Sequence, residues 1–240
     1  MVISDLGIVL YTKCLTMGGA LVRCFLKKHG FISGYYRAQR QKSYGLSAKI
    51  GSIVHATLQI RTQRQMGAYV SLEQTYPYTA YGIVQGAFVH SAILLLTTTL
   101  TENEAYTELW QSTAQFLERV AGTTDMIEIA TVYALFELDV LRYTGFQLEL
   151  NVCVVTHSTE NIAYISPRSG KAVSMQAGRK YHNQLFHMPK FFLHQEDIEK
   201  PSAKDILNAL RITEFFFKKH LLSSLPLPRQ MIVNMLERQQ

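Results

Sequence analysis

Few residues in this 240-residue chain are spaced for bond-making chemistry. Three cysteines occur. Cys24 alternates with Val22 and Leu26, the pattern of a core thiol. Cys14 has no His or acid at a spacing that would activate it as a nucleophile. Gly170-Lys171 resembles the end of a phosphate loop, but the loop needs Gly at position 165 and Ser or Thr at 172. Those positions hold Ile165 and Ala172. His194-Gln-Glu196 matches the H-x-E of zinc deaminases without the P-C-x-x-C that completes the site. His182, His187 and His194 do not fall on one helix face and read as loop or surface histidines rather than metal ligands. H-E-x-x-H, G-x-S-x-G and G-x-G-x-x-G are absent from the sequence. No constellation argues for an enzyme.

The chemistry that does stand out is electrostatic. Tyr35-Tyr-Arg-Ala-Gln-Arg-Gln-Lys-Ser-Tyr44 interleaves three cations with three tyrosines. Proteins that hold single strands pair a cationic groove with aromatic platforms, because stacking tolerates any base. Cations on the phosphates release counterions. The candidate contacts are Arg37, Arg40 and Lys42, then Lys27, Lys28, Lys49, Arg61 and Arg64. Tyr35, Tyr36 and Tyr44 are candidates for stacking or, equally, for core positions. Arg23 and Lys27 alternate with Leu21 and Phe25, and either reach the same surface or snorkel at a rim. The net charge of +6 conceals a gradient: +8 over residues 1–80, −7 over 81–150 and +5 over 151–240. So basic a protein meets anions, whether nucleic acid, an acidic membrane or an acidic partner.

The elements that position these residues change character near residue 80. The apolar fraction of 48% excludes bulk disorder, and the length suits one or two domains. Before residue 80 the period is two. Val54, Ala56, Leu58 and Ile60 form one inward row; Met66, Ala68, Val70 and Leu72 form another. Gly7–Thr12, Ala20–Leu26 and Phe31–Tyr36 are further strands, with a hairpin turn at His29-Gly30. Five strands in about 75 residues suit a small barrel. An OB-fold leads, with an SH3-like barrel as the rival. After residue 80 the period is 3.6, predicting helices over 81–100, 102–120 and 124–143. Thr101 is the expected cap of the second, and Gly122 and Gly145 the expected stops. Ser202 caps a further helix with Ile206, Leu210, Phe217 and Leu221 on one face; Pro226 and Pro228 end it, and a short helix follows around 230–238. Between them lies a hairpin-like patch over about 152–175. The fold class is α+β, β then α: a barrel at 1–80 and a mainly helical domain at 81–240 with an inserted hairpin. Tyr81–Leu100 reads as a buried helix rather than a membrane span, since it carries Gln85, His90 and three Thr. Met1–Leu10 has no basic n-region and no cleavage site, so no secretory signal is expected. Few cysteines, odd in number, fit a reducing compartment.

Gly7-Ile-Val-Leu-Tyr-Thr-Lys13, the Lys27-Lys-His-Gly30 turn and the Arg37-Ala-Gln-Arg-Gln-Lys42 loop resemble the N-terminal barrel of the RecO family of bacterial recombination mediators. Phe136-Glu-Leu…Leu141-Arg-Tyr-Thr-Gly-Phe146 is similar to that family's helix and its closing turn. Cys153 and Ala163–Ser174 resemble the hairpin that follows. The resemblance spans nearly the whole chain in order, with Phe136–Ser174 its most specific part. It implies a non-catalytic protein, bacterial, cytoplasmic and nucleoid-associated. Such a protein binds single- and double-stranded DNA and anneals complementary strands. Its partners would be RecR, the acidic Phe-ending C-terminal tail of single-stranded DNA-binding protein and, indirectly, RecA. No cofactor is implied.

The chain departs from the family pattern in three places. Some relatives carry C-x-x-C…C-x-x-C zinc ligands where this chain has Cys153 with Thr156 and Ser174 with Ala177, so no metal is expected. The hairpin would then be held by Val152, Val154, Ile162, Tyr164 and Val173. Relatives often place Arg before the Phe-Glu-Leu run, where this chain has Leu135. That shifts the expected tail contact to Arg142, beside Phe136, or to a C-terminal Lys. The first loop reads Leu15-Thr-Met-Gly-Gly-Ala20 in place of an acidic, polar run. Two other function classes stay open on the residues alone: a protein-interaction scaffold using the acidic helices, and an RNA-preferring barrel.

Overall fold

The computed structural model describes residues 1–15, 19–37, 49–60, 66–75, 81–193 and 200–239, with Arg37 described by its backbone only. Five strands, β1 (Val2–Leu15), β2 (Gly19–Leu26), β3 (Gly30–Arg37), β4 (Ile53–Gln59) and β5 (Gly67–Gln74), close into a barrel of order β1-β2-β3-β5-β4. All pairings are antiparallel except β3 with β5. This is the Greek-key arrangement of an OB-fold. β1 is long because it pairs twice: Val2–Ile8 with β4 and Gly7–Leu15 with β2. The inner cluster includes Ile3, Val9, Val22, Cys24, Val54, Ala56, Leu58, Tyr69 and Leu72. Burial pushes the Cys24 thiol up to about 12, against a smaller pull from its bond with Tyr69, so it stays neutral.

Two bulges reassign faces that strict alternation assigns otherwise. On β5 the register skips Val70, and Gly67, Tyr69 and Leu72 face inward while Met66 and Val70 are exposed. The inward row Met66-Ala68-Val70-Leu72 expected from period two is therefore wrong except at Leu72. On β1 the shift lies between Val9 and Tyr11. Tyr11 consequently stands beside Arg23 on the outer face instead of continuing the inward row of Ile3, Asp5 and Val9.

The first compact unit runs Met1–Ala121, so it includes two helices beyond the barrel. The change of period near 80 marks a change of secondary structure inside that unit. Helix α1 (Ile83–Thr99) packs against β1, and Gln85 Nε2 donates to Val120 O (2.9 Å) at the end of α2 (Thr107–Gly122). Trp110 Nε1 donates to Phe25 O (2.9 Å), fastening α2 to β2. α2 starts later than the expected Glu102, and Thr101 is not its cap. Residues 101–106 instead run across the start of β3, where Glu102 bridges Phe31 and Asn103 N donates to Phe31 O (2.9 Å). Gly30 makes room for this crossing: φ is +75°, and a Cβ there would lie 1.8 Å from Glu104 O.

The second unit runs Gly122–Gln240. Asp125 caps α3 (Met126–Leu141), accepting from Ile127 N (2.9 Å) and Glu128 N (3.3 Å). The helix passes into a wide turn, Arg142–Phe146, closed by Gly145 at φ +94°. Strands β6 (Ile162–Ile165), β7 (Ala172–Ser174) and β8 (Phe186–His187) form a sheet of order β7-β6-β8, with one helical turn, α4 (Met175–Gly178), after β7. The start of the expected hairpin-like patch, residues 152–155, is a turn instead. Its valines are exposed while Cys153 is buried, so Val152 and Val154 do not hold the hairpin. Ser202 and Asp205 form a capping box on α5 (Ala203–His220), and Ile206, Leu210 and Phe217 are buried as its periodicity predicts. α5 ends at His220; Pro226 and Pro228 begin α6 (Leu227–Glu237) rather than stop α5. Arg229 of α6 reaches back to Glu137 of α3 and Glu214 of α5, fastening three helices together.

Candidate nucleic-acid interface

The outer face of β1-β2-β3 presents three rows across the strands. Register sets Tyr11, Arg23 and Ser33 side by side, then Lys13, Leu21 and Tyr35, then Leu15, Gly19 and the backbone of Arg37. Lys13 is exposed, and Tyr11, Leu21, Arg23, Ser33 and Tyr35 are half-buried. The Tyr35 ring lies over Gly19, where a Cβ would meet its hydroxyl at 2.1 Å. Tyr36 points the other way and packs on the barrel core. The two adjacent tyrosines are thus separated, and only Tyr35 remains on the surface with the cations. Ser33 Oγ donates to Glu102 (2.5 Å), so an acid borders this face at its β3 edge.

Lys27 and Lys28 lie at the other end of the β2–β3 ladder. Asp5 organises their turn: Leu6 N (2.9 Å) and Lys28 N (2.7 Å) donate to its carboxylate, and His29 Nδ1 lies 2.9 Å from it. Lys28 is exposed, whereas Lys27 Nζ rests 5.4 Å from the Trp110 ring centroid. Seven residue steps separate Gly30 from Arg37, about 23 Å of strand, so this turn and Arg37 do not form one cluster. Lys49 is exposed on a turn secured by Ser52 N and Oγ, both donating to Lys49 O (3.0 and 2.5 Å). Arg40, Lys42, Tyr44, Arg61 and Arg64 lie outside the described residues. Sequence reasoning missed Tyr11 and Lys13. Only the β1 bulge brings Tyr11 to this face, and nothing in the residue pattern marks it.

In the second unit the two expected partner residues separate. Phe136 is 2% exposed and belongs to the core. It therefore cannot meet a partner directly, a correction to its expected role. Arg142 is exposed, 5.3 Å from the Tyr143 ring centroid, and lines a groove of about 530 Å³ with Leu135, Asp139, Glu149 and Phe192. A second groove, about 490 Å³, has an apolar lining of Phe186, Leu207, Phe215 and Val233 beside Arg211 and Lys218. Acids share the first groove, while in the second the one lining acid, Glu214, already pairs with Lys218 and Arg229. An acidic, apolar-ended peptide therefore matches the second groove better.

Cys153, Thr156, Ser174 and Ala177 come together. The Cys153 sulfur receives Thr156 N (3.4 Å) and Ser174 N (3.2 Å) and lies 3.5 Å from Ser174 Oγ, which itself accepts from Ala177 N (3.4 Å). Burial raises this thiol's pKa, but the donors from Thr156 and Ser174 outweigh it and lower it to about 6. One sulfur and one hydroxyl do not fit four-coordinate zinc. Hydrogen bonds tie this knot. Among the described residues no three His, Cys, Asp or Glu side chains gather as a metal site, and no helix is long and apolar enough to cross a membrane.

Residues 83–228 match the sequence model of a family described as recombination protein O, C terminal. Relatives named DNA repair protein RecO are similar along the chain. The protein of Orientia tsutsugamushi (strain Boryong) is 29% identical over 237 residues, covering 95% of each chain. That of Rickettsia typhi is 29% identical over 222 residues, covering 91% of each. That of Rickettsia felis is 29% identical over 222 residues, covering 91% of this chain and 90% of its own.

Proposed function

The chain belongs to the RecO family, and on that premise we propose that it is a DNA-repair and recombination mediator that binds single- and double-stranded DNA and anneals complementary strands. The observation that supports this reading is the outer face of β1-β2-β3, where Lys13 and Arg23 share the barrel surface with Tyr11 and Tyr35 in the most basic third of the chain. Cations there lower the repulsion between two strands, and the tyrosines offer stacking surfaces that do not discriminate among bases. Lys28 and Lys49 extend the field to other parts of the barrel.

In this reading the protein acts without catalysis or cofactor, in the bacterial cytoplasm on nucleoid DNA. With RecR it helps RecA onto strands coated by single-stranded DNA-binding protein. The acidic, Phe-ending tail of that protein takes the apolar groove beside Arg211 and Lys218.

The test is annealing of two complementary oligonucleotides carrying a fluorophore and a quencher. The protein accelerates quenching, and the acceleration fades as salt rises. No acceleration at low salt, or acceleration confined to RNA strands, would overturn the proposal.

A further inference from the structure

Arg23 is the one residue of the described barrel surface whose side chain is built in but not satisfied. Its Nε is buried without a hydrogen-bond partner, and its other N–H groups make no hydrogen bond or ion pair among the described residues. An unpaired buried donor costs about 1–3 kcal/mol, and most are paired in folded proteins. The guanidinium is nonetheless held in place: Cζ lies 5.5 Å from the Tyr11 ring centroid and 6.0 Å from that of Phe31. Phe31 is itself fixed beneath residues 101–106, where Asn103 N donates to its carbonyl. Tyr11 is there because of the bulge in β1.

A planar cation, bracketed by two rings and keeping its donors unspent, is prepared for an oxyanion with matching geometry. The neighbours decide which. Lys13, exposed two residues along from Tyr11, continues positive charge toward β1, and Tyr35 offers a ring one row away. Glu102, bonded to Ser33, closes the β3 side to anions. A chain of phosphates with unpaired bases fits that layout, whereas a lone anion leaves the ring unused.

We propose that Arg23, held by Tyr11 and Phe31, takes a backbone phosphate of a single strand whose neighbouring base stacks on Tyr35. Tyr11 is a positioning residue and Arg23 the contact. The proposal rests on the DNA-binding reading above and adds to it a site that the basic Arg37–Lys42 stretch does not contain.

Fluorescence anisotropy of a labelled single-stranded DNA oligonucleotide across salt tests it, using the full chain, Arg23→Ala, Arg23→Lys and Tyr11→Leu. Thermal unfolding confirms that each variant is folded. Arg23→Ala loses about tenfold in affinity, and its log–log salt slope becomes shallower by about 0.7, the value of one phosphate. Arg23→Lys keeps the slope but binds more weakly, because a point charge lacks the planar fork. Tyr11→Leu keeps every charge and still weakens binding, which gives a second route should Arg23→Ala fail to fold. Wild-type binding with unchanged affinity and slope in Arg23→Ala, or in Tyr11→Leu, overturns this inference alone. Absence of wild-type binding overturns it together with the reading on which it rests.

Discussion

Arg229→Met should be among the most damaging single changes in the second unit. Arg229 is 2% exposed and Glu137 0%. Nε and Nη2 donate to the two Glu137 oxygens at 2.7 and 3.0 Å, Nη1 to Glu214 at 2.9 Å, and Nη2 also to Leu210 O at 2.6 Å. Burial alone would disfavour the cation, but Glu137 more than compensates and holds its pKa above the ordinary value. Removing it strands a carboxylate with no exposure to water, a defect that costs about 3–5 kcal/mol. The Thr213 hydroxyl still donates to that carboxylate, which places the expected loss near the lower figure, about 3 kcal/mol. That is a large share of a typical domain stability of about 5–15 kcal/mol. The double change Glu137→Leu with Arg229→Met removes both charges, and its cost should be smaller than that of Arg229→Met. Urea unfolding followed by circular dichroism measures all three. A loss under 1 kcal/mol for Arg229→Met, or a double variant less stable than the single, would refute the reasoning that the pair is a buried, mutually dependent staple.

Three further outcomes follow from local geometry. Gly30→Ala places a side chain at φ +75° and against Glu104 O, and thermal unfolding should show a loss of at least about 2 kcal/mol. Asp5→Ala leaves Leu6 N and Lys28 N without their acceptor; it should cost about 1–3 kcal/mol by urea unfolding, and Asp5→Asn less. The folded Cys153 thiol has its pKa lowered from 9.0 to about 6, so its contribution to stability is fully present above about pH 9 and lost as pH falls toward 6. Urea unfolding of wild type and Cys153→Ala should therefore show a gap that widens from pH 6 to 9; a gap independent of pH would remove the thiolate from the account.

The barrel was legible because its strands carry two-residue alternation and their turns carry glycine. Val54, Ala56 and Leu58 face inward as their spacing requires, and His29-Gly30 turns the chain between β2 and β3. Alternation failed where one residue was inserted into a ladder. The bulges at Val70 and between Val9 and Tyr11 depend on how partner strands align, which no single strand encodes. The helix expected from Glu102 failed for a related reason: residues 101–106 are taken up by pairing with β3, a tertiary demand that overrides local capping. Ser202 with Asp205, by contrast, was readable because a capping box is complete within four residues. Basic residues announced a cationic surface by number but not by place. Lys27 and Lys28 sit at one end of a ladder and Arg37 at the other, and Phe136 proved to be core. Arg23 looked ambiguous along the chain; its rings come from β1 and β3, so its bracket exists only in the folded barrel.

The central claim is that the barrel is an electrostatic strand binder. Fluorescence anisotropy of a labelled single-stranded DNA oligonucleotide with the full-length wild-type chain, titrated across salt, addresses it most directly. Contact with about four to six phosphates predicts a log–log slope of roughly −3 to −4. Binding absent even at low salt, or present with a slope near zero, would contradict it.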